Sequence, residues 1–192
     1  MEKLELKETI KILNKNGLAV IPTDTIYGIV TKALSIDAVE RLYRVKGRRP
    51  EKPFIILISS EKDLSKFGVE ISKKQEQIIN NLWPGPFTII FECDKKYLYL
   101  HRGTNTLAFR LPASKKLRDL ILRTGPLVAP SANPEGKLPA KNIKEAMAYF
   151  GKDVDSYLDG GEIRGEPSTL IDLADKSPKV IRGDQSILRF LD

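Results

Sequence analysis

The apolar runs of this chain are strand-sized. Phe54 to Ile58 is among the longest, and it stands between Pro53 and Ser59. A run of that length suits a strand covered on both faces of a sheet. It cannot span a bilayer, which takes about 20 apolar residues, so a membrane role has no support. Amphipathic stretches lie between the runs. Leu6, Ile10 and Leu13 recur at helical spacing, with Gly17 where a C-cap is expected. Ser35 is placed to cap a second helix, with Ile36, Val39, Leu42 and Tyr43 as its apolar stripe and an end near Gly47. Ser72 to Leu82, Ser114 to Arg123 and Lys141 to Phe150 read as further helices. Leu18 to Ile21, Phe54 to Ile58, Phe87 to Phe91, Tyr97 to Leu100, Thr106 to Leu111, Leu127 to Ala129, Thr169 to Leu173 and Lys179 to Ile181 read as strands. Strands alternate with helices early and cluster later. That order predicts an α/β fold, a twisted mixed sheet with flanking helices, built as one domain over residues 1–192.

Composition narrows the chemistry. One cysteine, Cys93, and one histidine, His101, exclude an intrachain disulfide and a Cys/His zinc site. The N-terminus lacks the basic-then-apolar order of a signal peptide, and a cytoplasmic protein is expected. A net charge of +7 favours anionic partners: nucleotides, polyphosphates or RNA. There is no GxxxxGK[ST] and no GxGxxG, so neither a P-loop nor the usual dinucleotide turn is present. Leu100-His101-Arg102-Gly103 reads as an exposed turn, and Cys93 as a core residue closing a strand.

Polar chemistry gathers instead at element ends. Pro22-Thr23-Asp24-Thr25-Ile26-Tyr27-Gly28 opens directly from a buried strand, where α/β folds commonly hold ligands. The same residues would also serve a turn that satisfies its own backbone. Lys46, Arg48, Arg49 and Lys52 place four cations within seven residues, more than a helix C-terminus needs. Arginine forks and a lysine point charge are what phosphate recognition asks for. Arg110 stands in an otherwise apolar strand and requires an anion, either a structural carboxylate or that of a ligand. Ser131-Ala132-Asn133 forms a small polar turn, and Arg182 is a second cation at a strand end. Gly160 to Pro167 is the best candidate for a mobile loop, and so for a lid.

In order, these blocks resemble the YrdC-like family, the threonylcarbamoyl-AMP synthases. The matching stretches are Pro22 to Gly28, Lys46-Gly47-Arg48, Trp83 to Thr88, Thr106 to Pro112, Ser131-Ala132-Asn133, Pro167 to Asp172 and Ile181-Arg182-Gly183. The resemblance implies an open sheet with a basic concave face, in the short, single-domain form. It implies a nucleotidyltransferase that joins L-threonine, bicarbonate or CO2, and ATP to give threonylcarbamoyl-AMP and pyrophosphate. Mg²⁺ is expected with the ATP; any metal site on the protein is unknown. A threonylcarbamoyl-transferase complex would then modify adenosine 37 of tRNA. By position, the resemblance assigns Thr25, Tyr27, Arg110 and Ser168 to threonine. It assigns Lys46, Arg48, Lys52, Thr106, Ser131, Asn133 and Arg182 to ATP. No acid–base residue is assigned; Lys46 and Arg48 would offset charge.

The chain departs from the family pattern in three places. Arg49 intervenes before Pro50, Leu57 stands where many members have histidine, and Glu135 precedes Gly136 where serine is common. The reading from another class is a non-catalytic module for tRNA or double-stranded RNA, which the net charge supports. It lacks aromatic-rich stacking strands.

Overall fold

The computed structural model describes residues 2–175 and 177–190. In chain order the first elements are α1 (Glu2–Asn14), β1 (Ala19–Ile21), β2 (Gly28–Lys32), α2 (Ile36–Lys46) and β3 (Ile55–Leu57). Next come α3 (Lys73–Leu82), β4 (Phe87–Glu92), α4 (Leu98–His101), β5 (Thr106–Arg110) and α5 (Lys115–Thr124). The remaining elements are β6 (Leu127–Val128), α6 (Ile143–Phe150), β7 (Ser156–Tyr157), β8 (Thr169–Asp172) and β9 (Lys179–Arg182). The strands join into one sheet in the order β7-β1-β2-β6-β3-β5-β4-β8-β9. The pairs β1–β7, β3–β5 and β4–β8 are parallel and the rest antiparallel. The expected mixed sheet with flanking helices is therefore what forms.

Successive side chains of a strand point to opposite faces, and the sheet sorts its apolar residues that way. Val20, Ile29, Ile56, Phe109, Val128 and Ile171 face one layer, shared with α2, α3 and α6 through Leu42, Ile79 and Phe150. Ala19, Ile21, Val30, Leu57 and Leu127 face the other, covered by α1 through Leu13 and by α5 through Leu117, Leu120 and Ile121. Each such side chain contributes about 1.5–3 kcal/mol on burial, so packing rather than propensity holds these helices. Among the described residues this second apolar layer draws none from β4, β5, β8 or β9.

Local signals hold in part. Ser72 Oγ accepts from Gln75 N at 3.2 Å while Gln75 Oε1 accepts from Ser72 N at 2.8 Å, a reciprocal cap for α3. Ser35 occupies the N-cap of α2, but its hydroxyl makes no capping bond. Ile36, expected in the apolar stripe, is 56% exposed because it sits in the first turn, beyond the packed face. The strand expected over Tyr97 to Leu100 is helical: Tyr97 closes a tight turn and Leu98 to Leu100 belong to α4. His101 clasps both flanks of the segment: its Nε2 lies 3.3 Å from Lys95 O, and its Nδ1 accepts from the backbone N–H of Gly103 at 3.1 Å and of Asn105 at 3.2 Å. The histidine is accordingly buried, not on an exposed turn. β2 escaped the sequence reading because Gly28 and Lys32 dilute its apolar pattern, though Ile29, Val30 and Thr31 are fully buried.

Candidate active site

A pocket opens on the second face of the sheet, where the ends of several strands converge. Thr25 to Gly28 come from the loop after β1, and Ser131 from the turn after β6. Leu57 lies in its floor on β3; Arg110 ends β5, Ser168 precedes β8, Arg182 ends β9 and Arg48 follows α2. Period-two alternation explains the floor. Leu107 and Phe109 belong to the opposite layer, so Arg110 must face the pocket.

Arg110 is 5% exposed, and the structure answers which anion it meets. Its guanidinium pairs with Asp24 through Nη2 and donates from Nη1 to Thr25 Oγ1 at 2.6 Å. Asp24 Oδ2 also accepts from Ala113 N at 2.8 Å. The local backbone of this loop is instead satisfied by Thr23, whose Oγ1 accepts from Thr25 N and Ile26 N and donates to Ile26 O. Thr25 is thus free of backbone duty and presents its hydroxyl beside Arg110. Among the described residues the buried Arg110 Nε–H has no acceptor. Burial pulls the Arg110 pKa down while Asp24 opposes this; guanidinium stays charged.

Arg48 and Arg182 carry the positive charge of the pocket. Arg48 donates to Lys52 O at 3.1 Å and to Pro53 O at 3.2 Å, and its Cζ lies 5.3 Å from the Phe54 ring centroid. Arg182 donates to Ser168 O at 3.1 Å. Among the described residues neither forms an ion pair with a carboxylate, whereas Arg110 is neutralised by Asp24. An anion entering the pocket would meet Arg48 and Arg182 as uncompensated charges.

Four residues expected to contact ATP, Lys46, Lys52, Thr106 and Asn133, are not part of the cavity lining. Lys46 is buried behind the pocket wall, its Nζ donating to Ser131 O and Asn133 O at 2.6 Å each, with Asn133 Oδ1 at 3.5 Å. Burial, then the neighbouring Arg48, pulls its pKa down to about 7; the carbonyl oxygens favour the ammonium. Asn133 is turned inward too, its Nδ2 donating to Pro134 O and Lys137 O. Lys46 and Asn133 therefore shape the turn that presents Ser131. Lys52 is at the rim, bonded to Glu135 at 2.7 Å. Thr106 shares Arg110's face of β5 but stands at the other end, roughly 13 Å away at the usual strand rise, with its hydroxyl on Thr104 Oγ1. Side-chain direction in the two loops, and distance along one strand, account for all four.

Tyr27 lines the same pocket. It is fully buried, and its phenol oxygen donates to Gly161 O at 2.8 Å and accepts from Gly160 N at 2.9 Å. The phenol thereby holds the 160–167 segment against the pocket wall. Ile163 N donates to Lys141 O at 2.8 Å, and Gly165 lies so close to Thr25 that an added Cβ would sit 2.0 Å from its carbonyl oxygen. The expected mobile loop is, in this structure, a strap tied at three points. Tyr27→Phe keeps the ring packing and removes both phenol bonds. It is expected to lower stability by about 1–3 kcal/mol. The check is the urea midpoint at unchanged slope; an unmoved midpoint would show that the strap holds without the phenol.

Two participants were missed by sequence reading. Asp24 is one, as Arg110's partner. Thr88 is the other: it is fully buried on β4, and its hydroxyl shares a 2.7 Å hydrogen bond with that of Ser168. The signal was present, since Thr88 is a polar residue within Phe87-Thr88-Ile89-Ile90-Phe91, as Arg110 is within its own strand. Cys93 is a poor nucleophile, since burial pushes its thiol up to about 11. Among the described residues no group of three or more His, Cys, Asp or Glu is placed to hold a metal, and Asp24 is engaged by Arg110 and Ala113. Among them, too, no helix is long and apolar enough to cross a membrane.

Comparison with known proteins adds to this geometry. The Sua5/YciO/YrdC family model, described as telomere recombination, matches residues 11–183. The chain is 34% identical over 186 residues to the threonylcarbamoyl-AMP synthase of Pyrococcus abyssi, covering 95% of this chain and 54% of that protein. It is 32% identical over 157 residues to the synthase of Coxiella burnetii (strain RSA 493), covering 81% of this chain and 84% of that one. The crystal structure of P. abyssi Sua5 complexed with L-threonine superposes with a TM-score of 0.88 at 32% identity, over 95% of this chain and 54% of that one. The chain spans about half the length of the P. abyssi and Bacillus subtilis relatives it matches.

Proposed function

This chain belongs to the Sua5/YciO/YrdC family, and from that premise we propose that it is a threonylcarbamoyl-AMP synthase. L-Threonine, bicarbonate or CO2, and ATP would give threonylcarbamoyl-AMP and pyrophosphate. The product would pass to a threonylcarbamoyl-transferase complex that modifies adenosine 37 of tRNA. One observation carries the reading: a single pocket is lined both by Thr25, Arg110 and Ser168 and by Arg48 and Arg182, two cations that have no carboxylate partner among the described residues. The threonine bound in the similar P. abyssi structure supports an amino-acid ligand here.

The chemistry suits a site without an acid–base pair. Threonine's neutral amine adds to CO2 and loses a proton, giving a carbamate whose oxygen is already an anion. That oxygen attacks the α-phosphorus of ATP; the new O–P bond forms as the bond to pyrophosphate breaks. What the protein must supply is placement and positive charge against a polyanion. Thr25, Arg110 and Ser168 would position threonine; Arg48, Arg182 and Ser131 would receive phosphate. Lys46 and Asn133 would act through the turn that carries Ser131. Mg²⁺ would arrive as the counterion of ATP, held through phosphate oxygens rather than by a carboxylate cage.

The test is pyrophosphate release by the purified chain. Release is expected to require ATP, L-threonine and bicarbonate together, with threonylcarbamoyl-AMP identified by mass spectrometry. Release indifferent to threonine would sink the proposal. Salt-dependent tRNA binding without turnover would favour the RNA-binding reading instead.

A further inference from the structure

Two of the three departures from the family pattern, Arg49 and Glu135, touch each other. Glu135 Oε2 accepts from the backbone N–H of Arg49 at 2.7 Å, and Oε1 lies 2.7 Å from Lys52 Nζ and 3.4 Å from Arg49 Nε. Its own N–H donates to Lys46 O at 3.0 Å. A carboxylate thus spans from the turn that presents Ser131 to the cationic loop that presents Arg48. A backbone N–H, an ammonium and a guanidinium converging on two oxygens is how proteins hold a phosphate. Here the anion is the protein's own. The Lys52 ammonium first, then the Arg49 N–H, holds the Glu135 carboxyl down at about 2, so it is ionised at any working pH.

We propose that Glu135 is a resident anion at the rim of the nucleotide site, competing with the terminal phosphates of the substrate for Arg49 and Lys52 and so setting the affinity for ATP. This rests on the functional reading above. Two observations favour competition over a simple tie between loops. Lys52 and Arg49 are substantially exposed, at 40% and 63% of their side chains, so both can reach a ligand without unfolding anything. Ion pairs this exposed contribute little to folding, so the pair can open. Arg48 belongs to the same loop, lines the pocket and already feels the charge of Glu135: burial pulls its pKa down, and Glu135 pushes it up against that effect. The same negative charge would oppose that of a triphosphate held by Arg48.

The experiment is calorimetric titration of the full chain and of Glu135→Gln with ATP, inorganic tripolyphosphate and adenosine, at one ionic strength. Removing the competing charge is expected to tighten ATP and tripolyphosphate by roughly three- to tenfold, and to leave adenosine unchanged. Lys52→Ala is expected to weaken ATP more in the Glu135→Gln background than in the original chain, because only there is the ammonium released to phosphate. Equal or weaker phosphate binding by Glu135→Gln would overturn the inference and leave Glu135 as a loop tie. So would adenosine tightening by the same factor. An original chain that binds no ATP at all would overturn the functional reading, and this inference with it.

Discussion

An Arg110→Ala variant is expected to lose threonine-dependent pyrophosphate release by roughly 100-fold or more. Arg110 orients Thr25 directly and lines the pocket. The substitution also strands Asp24, whose side chain is 14% exposed and loses its guanidinium. Breaking such a pair costs about 3–5 kcal/mol, so stability must be measured beside activity. Arg110→Lys separates the two effects. A lysine keeps the charge opposite Asp24 but lacks the fork that reaches both Asp24 and Thr25. It is expected to fold, to bind ATP as before, and to show a raised KM for threonine. A KM for threonine equal to that of the original chain would remove Arg110 from the substrate and leave it a structural ion pair.

The second large effect is expected at Lys46, and it should appear in stability first. Its ammonium satisfies two backbone carbonyls at 2.6 Å inside a site where the side chain is 2% exposed. Removing the donor leaves Ser131 O and Asn133 O without it, at a cost of roughly 2–5 kcal/mol for the two together. Lys46→Met is the sharper variant, because it restores most of the volume and none of the donors. The urea midpoint of Lys46→Met is therefore expected to fall well below that of the original chain, and activity to fall with the displaced Ser131 turn. A variant as stable as the original yet inactive would show the opposite: that Lys46 reaches phosphate directly.

Much of the fold was legible because its signals are local. Ser72 and Gln75 close a capping box four residues long, Gly47 takes the left-handed conformation at φ 62° that ends α2, and the aromatic and β-branched run of Phe87 to Phe91 marks a strand wherever it lies. Where local signals conflict, they misled. Tyr97 to Leu100 has strand-forming residues, but the segment is helical and His101 clasps both its flanks. The candidate site was legible as a set of positions: Thr25, Arg48, Arg110, Ser131, Ser168 and Arg182 do line one pocket.

What the sequence by itself determined is which residues are out of place for a soluble core: an arginine and a threonine in apolar strands, four cations after one helix, hydroxyls where a strand ends. Each demands a partner, and that demand is chemistry the residue carries with it. Which partner answers was decided only by the tertiary structure. Lys46 and Arg48 are two residues apart, yet one turns into the protein to hold carbonyls and the other lines the cavity. Asp24 meets Arg110 across 86 positions, and Glu135 meets Lys52 across 83. The direction of a side chain in a loop depends on which distant strand end packs beside it, and no spacing along the chain encodes that contact.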